Sequence, residues 1–314
     1  MAMTAHAYQD LYRNLKVPIV NEQGDLSGWQ PVDVHKYLLA QEDTKAAEAG
    51  KPKPPEHYNI QKSSHPLGEL ESKLIEYFKK PGATLKVFVA TAEVDERSFT
   101  AFKDVWYYAR KPFWGKGSPE EVQIALQLVL RFKLATPAGL QAYCDEASDG
   151  LAQGRIGLDC NGFVGNFLDH GFRGKAWDSD KIGFSDYQAN VGIKDTMDKL
   201  GPEVKELSDI QMLETYVMGL AHPNTMQVIN RTSADHHTGH IVVTTPFTTV
   251  VARPFMYALL PVIKMRVVES TLDAGLTESD YYLLSGEKNV FKVWRGSKAG
   301  TAYETMNVRI RPAR

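Results

Sequence analysis

Cysteine is scarce in this chain: two residues in 314, Cys144 and Cys160. That excludes a disulfide scaffold and a four-cysteine zinc site. Long apolar runs are missing as well. The longest, near 255–263, is interrupted by Pro261 and falls short of the ~18 residues a membrane span needs. The opening segment, MAMTAHAYQDLYRNLKVPIV, lacks a basic start followed by an apolar stretch, so no secretory leader is expected. No excess of one charge exists either. The net charge of -2 provides no field that would recruit nucleic acid or an anionic membrane. Glycine-rich phosphate loops are absent, and no segment repeats at a fixed period. The remaining composition, 43% hydrophobic and 24% charged, is that of a globular protein long enough for two domains or one with a large accessory region. The expectation is a chain made in the cytoplasm, without a nucleic-acid partner or membrane span. If it acts outside the cell, it leaves by a route that uses no signal peptide.

Periodicity predicts helices in the first half and strands in the second. Helices are expected near 6–15, 32–39, 66–80, 98–110 with Ser98 as N-cap, 118–135 and 137–147. The start at Ser118-Pro119-Glu120-Glu121 is the sharpest, with proline in the first turn and acids beside it. A strand is expected at 84–94. Residues 41–57 are polar and proline-rich and read as a linker. The stretch 173–206 has no firm period and is expected to be a long loop with short helices. Strands are then expected near 210–217, 225–230, 240–245, 248–252, 262–270, 289–294 and 307–311. The order implies an α+β fold with helices packed on an antiparallel sheet. The expected division is an accessory region at 1–97 and a main domain at 98–314.

One stretch stands out, Gly157-Leu-Asp-Cys-Asn-Gly-Phe-Val-Gly-Asn-Phe-Leu168. Asp159 is a candidate N-cap, and Phe163, Val164, Phe167 and Leu168 give the following helix an apolar face. Gly171 is the expected stop. Cys160 therefore falls in a first helical turn, where unpaired N–H groups and the helix dipole favour a thiolate. A buried, inert thiol is the alternative. A nucleophilic cysteine needs a base and a group that orients the base. Among nine histidines, His240 follows Gly239 and opens an apolar strand. His236 and His237 precede it in a turn beside Asp235 and read as a solvated loop, with metal binding by that cluster as the alternative.

The pairing of Gly157-Leu-Asp-Cys-Asn-Gly-Phe-Val164 with Gly239-His-Ile-Val-Val243 resembles the NlpC/P60 superfamily of papain-like cysteine peptidases. The family pattern is G-x-D-C-S-G-F/L-V, and this chain carries Asn161 where serine is usual. The resemblance spans roughly residues 100–295. It implies Cys160 as nucleophile, His240 as base, Asp159 as a structural acid, and an oxyanion held by backbone N–H groups that include that of Cys160. The third residue is expected on the strand after the histidine strand, at Glu269 in KMRVVEST. The competing reading makes Glu269 an ordinary solvent-facing strand residue. Ser270 has the opposite parity. An upstream tyrosine of the family is echoed by Trp106-Tyr107-Tyr108 and Phe113-Trp114-Gly115, for which a core aromatic cluster is the alternative.

The resemblance implies hydrolysis of amide bonds in peptidoglycan stem peptides, without cofactor or metal. The protein would then be a cell-wall hydrolase of lysin type or a secreted antibacterial effector with an immunity protein and secretion machinery as partners. Two other readings stand beside it: an intracellular cysteine hydrolase or acyltransferase on a small amide, thioester or lipid, and a non-catalytic binding protein that retains the fold.

Overall fold

The computed structural model describes residues 3–21, 23–38, 66–90, 94–146, 155–172, 193–200, 227–232, 239–245, 263–271, 274–287, 290–295 and 304–312. These build a mixed α+β architecture of helices and antiparallel strands. By its contacts the chain divides into two compact units. One comprises Met1–Gln9, Cys160–Thr271 and Leu276–Arg314; the other comprises Asp10–Asp159 and Leu272–Gly275. This division does not agree with a cut at 97/98. The reason lies in the packing of the helix Pro119–Arg131 on strands from either side of residue 40, which joins the expected accessory region to residues beyond 97. The expected linker at 41–57 lies outside the described residues, as do the strands expected at 210–217 and 248–252.

The unit built on Asp10–Asp159 contains two hairpins, not helices alone. Helix α1 (Ala5–Arg13) enters it and stops where Leu15 opens β1 (Leu15–Val20), which pairs with β2 (Leu26–Val32). The helix expected at 32–39 is not formed; Val32 ends β2, and Tyr37 makes a parallel bridge to Leu158. Helix α2 spans Pro66–Phe78. A second hairpin joins β3 (Leu85–Ala90) to β4 (Val94–Phe99). Ser98, expected as an N-cap, pairs instead with Lys86, and α3 begins only at Phe102 and runs to Ala109. β4 reads VDERSF. Apart from the partly buried Arg97, its polar side chains face water, so the segment carries no apolar alternation to mark it as a strand.

Helix α4 (Pro119–Arg131) organises this unit. Ser118 and Glu121 form a reciprocal capping box: Glu121 N–H donates to Ser118 Oγ at 3.3 Å, and Ser118 N–H to Glu121 Oε2 at 2.9 Å. The helix packs on β1 and β3. Gln123 and Gln127 are buried, and their carboxamides face β3. Gln127 accepts from Phe88 N–H and donates to Phe88 C=O, both at 3.1 Å, and Gln123 does the same at Ala90 at 2.9 and 3.1 Å. Four helical residues advance ~6 Å and two strand residues ~6.6 Å, so the two amides keep step with alternate residues of the strand. The helix thus supplies hydrogen bonds that a further strand would otherwise give. A short helix, α5 (Leu140–Asp145), comes next and buries Cys144.

The other unit holds a closed antiparallel barrel. Its strands are β5 (Gln227–Thr232), β6 (Gly239–Thr244), β7 (Ile263–Thr271), β8 (Gly275–Glu287), β9 (Val290–Arg295) and β10 (Glu304–Pro312), in the order β10-β5-β6-β7-β8-β9. Five of the six fall where alternation predicts strands; β8 has no counterpart in that prediction. Helix α6 (Cys160–Asn166) packs on β6 and β7, and α7 (Ile193–Asp198) on β5 and β6. α6 is buried along its whole length rather than on one face, and it passes into a wider π turn at Phe167–Phe172. Tyr8 of α1 rests against Phe163 and Phe167, with ring centroids 6.0 and 5.7 Å away. No helix among the described residues is long and apolar enough to cross a membrane.

Candidate active site

Glycines and one ion pair hold the approach to Cys160. Leu158 is stitched into a neighbouring segment, donating to Lys36 C=O at 3.0 Å and accepting from Leu38 N–H at 3.3 Å. Any side chain at Gly157 would collide with Lys36 C=O, since a Cβ there would stand 2.3 Å from the oxygen. Asp159 N–H donates to Gly115 C=O at 3.0 Å. Gly115 has φ of +72°, and a Cβ on it would meet Leu38 C=O at 2.0 Å. Only glycine fits that approach. The Asp159 carboxylate, 2% exposed, is paired with Lys116, Nζ to Oδ2 at 2.5 Å. The burial of a charge there is offset by this pairing.

Cys160 is the first residue of α6, is buried and forms no disulfide. Cys144 is also free, so no disulfide links the two. Burial, with the Asp145 charge adding to it, pushes the Cys144 thiol up to about 12, the mark of a packing residue. Asn161, at the position where the resembling family has serine, accepts from Thr196 Oγ1 at 3.1 Å. Its longer side chain thereby ties α6 to α7, and both groups are buried.

The sheet brings two of the three sequence-predicted residues together. β6 and β7 pair with Val243 opposite Val268. Stepping back along β6 and forward along β7 from that register puts Val242 opposite Glu269, with His240 two residues further on the same face. His240 and Glu269 are therefore diagonal neighbours across the strand pair. His240 Nε2 lies 2.9 Å from Glu269 Oε2. Glu269 is 1% exposed and His240 14%. That burial excludes the reading of Glu269 as a solvent-facing strand residue. Ser270, of opposite parity, is buried too and points from the other face of the strand.

A residue that pattern reading does not find completes the cluster. Tyr281, on β8, is 1% exposed and donates its hydroxyl to the same Glu269 Oε2 at 2.6 Å. Burial alone pushes the Glu269 carboxyl up, but the hydrogen bond and charge of His240, together with hydrogen bonds from Ser279 and Tyr281, outweigh it and hold the group down at about 2. Glu269 is thus ionised near neutrality and only accepts. In the neutral imidazole the proton then sits on Nε2, and Nδ1 carries the basic lone pair. The arrangement can orient an imidazole, take a proton at Nδ1 and stabilise the resulting cation. Tyrosine in strand sequence is the available signal for Tyr281, but TESDYYLLSGE lacks clean alternation.

The remaining candidates fall elsewhere. Asp235, His236 and His237 lie outside the described residues. Among the described residues no group of three metal-ligating side chains occurs. Tyr108 is buried against Phe99 and Tyr107, with centroids 6.0 and 5.3 Å away. Tyr107 and Trp114 receive the Arg110 guanidinium at 5.7 and 5.0 Å, an aromatic and cationic cluster within the Asp10–Asp159 unit. No family model matches the chain, and no curated protein or solved structure matches it either.

Proposed function

We propose that the chain is a papain-like cysteine hydrolase of NlpC/P60 type that cleaves amide bonds, its substrate the stem peptides of peptidoglycan. The observation that carries the reading is the buried His240–Glu269 pair on two strands against which the Cys160 helix packs. Cysteine hydrolysis needs an imidazole fixed in one tautomer by a buried acceptor, and a cysteine on an adjoining rigid element. The local sequence around Cys160 and the Gly239-His240 strand start add to it.

In this mechanism His240 Nδ1 takes the Cys160 thiol proton. The thiolate attacks the amide carbon, and the carbonyl oxygen becomes an oxyanion held by backbone N–H groups, including that of Cys160. Collapse breaks the C–N bond; the imidazolium returns its proton to the leaving amine, and a thioester remains. Water, deprotonated by His240, attacks the thioester, and the thiol leaves with that proton. Glu269 stays ionised and orients the ring. A wall-directed enzyme of this kind would work as a lysin or a secreted antibacterial effector matched by an immunity protein.

Incubation of the protein with purified sacculi tests the reading. Wild type should release new amino termini from stem peptides, at bonds involving a D-amino acid, and Cys160→Ala should release none. Equal release by the two proteins overturns it. A thiol-directed probe gives a second test: Cys160 should label quickly near neutral pH and lose that reactivity in His240→Ala.

A further inference from the structure

Glu269 is gripped from both sides of its strand. β7 lies between β6 and β8 in the barrel. From β6, His240 Nε2 reaches Glu269 Oε2 at 2.9 Å; from β8, the Tyr281 hydroxyl reaches the same oxygen at 2.6 Å. Tyr281 is 1% exposed, so this hydroxyl is withdrawn from water and aimed at one acceptor atom. A glutamate has three rotatable bonds, and one hydrogen bond to a ring leaves its carboxylate able to swing. On the opposite flank Ser279 of β8 helps keep the carboxylate charged, and the Tyr281 hydroxyl fixes in space the oxygen that faces His240.

We propose that Tyr281 is a positioning residue of the cysteine hydrolase reaction, holding the Glu269 carboxylate so that the His240 ring is kept in its Nε2–H form. The inference rests on the proposed hydrolase function for its effect on turnover, but its structural content can be read without any substrate. Tyr281 transfers no proton and touches no reacting atom. It acts through Glu269, and Glu269 acts through the ring.

The test uses the full chain labelled with nitrogen-15, the His240 ring resonances being assigned by their loss in His240→Gln. In wild type His240 should show one tautomer, protonated at Nε2. Tyr281→Phe keeps the ring volume and removes one oxygen; it should show a mixed Nε2–H and Nδ1–H population. Its kcat for amide hydrolysis should fall about tenfold, with KM within about twofold. In a Glu269→Gln background the same change should leave kcat within about twofold, because the acceptor it positions is gone. An unchanged ring spectrum in Tyr281→Phe overturns the proposal even if activity falls, since the residue is then only structural. Additive losses in the two backgrounds overturn it as well. If Tyr281→Phe folds poorly by circular dichroism, 4-aminophenylalanine at 281 keeps the ring and a weaker donor. It should then show a minor Nδ1–H population, and a spectrum identical to wild type overturns the proposal. Should no variant or wild type hydrolyse sacculi, the functional reading fails while the ring spectra still decide the role of Tyr281.

Discussion

Replacing Glu269 with glutamine should flatten the acid sensitivity of this protein in a defined window. The carboxyl ordinarily loses its proton at 4.5; in the folded chain it does so at about 2. Burial opposes that change, and the hydrogen bond and charge from His240, with the hydrogen bonds from Ser279 and Tyr281, overcome it. The folded state therefore binds the Glu269 proton more weakly than the unfolded chain. On acidification the unfolded chain is protonated first, so the stabilisation is complete above about 4.5 and is lost as pH falls toward about 2. At about 1.4 kcal/mol per tenfold in proton affinity, the drop from 4.5 to about 2 amounts to about 3 kcal/mol. The carboxamide of Glu269→Gln keeps the shape, accepts from the same two donors and never titrates. Urea unfolding of both proteins, at pH values from about 7 down to about 2, measures the difference; every other carboxylate is common to the two and cancels. Wild type should be the more stable near neutral pH, by about 3 kcal/mol at most, and the gap should close between pH 4.5 and about 2. A difference that stays constant across that window refutes the argument, because it would show that Glu269 holds no more tightly ionised a state in the fold than outside it.

Lys116→Met should cost about 3–5 kcal/mol in chemical denaturation by stranding the buried Asp159 charge, and Lys116→Met with Asp159→Asn should recover most of it; no recovery would show that the lysine matters for packing alone. Gln127→Met, similar in volume, should destabilise by about 2–3 kcal/mol because Phe88 N–H and C=O both lose a buried partner, with earlier hydrogen exchange at Phe88 as the local sign. Cys144, its thiol raised by burial to about 12, should resist iodoacetamide in mildly alkaline buffer in native protein and react in urea; equal rates in the two conditions would contradict its burial.

Local patterns single out Cys160 and His240, the family resemblance adds Glu269, and alternation locates β5, β6, β7, β9 and β10 to within a few residues, because a helix start or an alternating strand is written within about ten consecutive positions. The capping box of α4 is equally local, since Ser118 and Glu121 lie one turn apart. The same logic explains the elements that pattern reading misses. β4 and β8 carry polar residues at positions whose burial or exposure depends on neighbouring strands, so neither shows a clean period of two. Gln123 and Gln127 look like the wet face of α4 until β3 is laid against them. That Asp159 would be neutralised by Lys116 depends on a loop contact which no spacing encodes. The residue types of the site are thus legible one at a time. Their union is not: His240 meets Glu269 only through the register of β6 on β7, and Tyr281 joins them only because β8 lies on the far side of β7. Register and sheet order are set by the packing of the whole barrel, and a diagonal pair changes face with a slip of one residue.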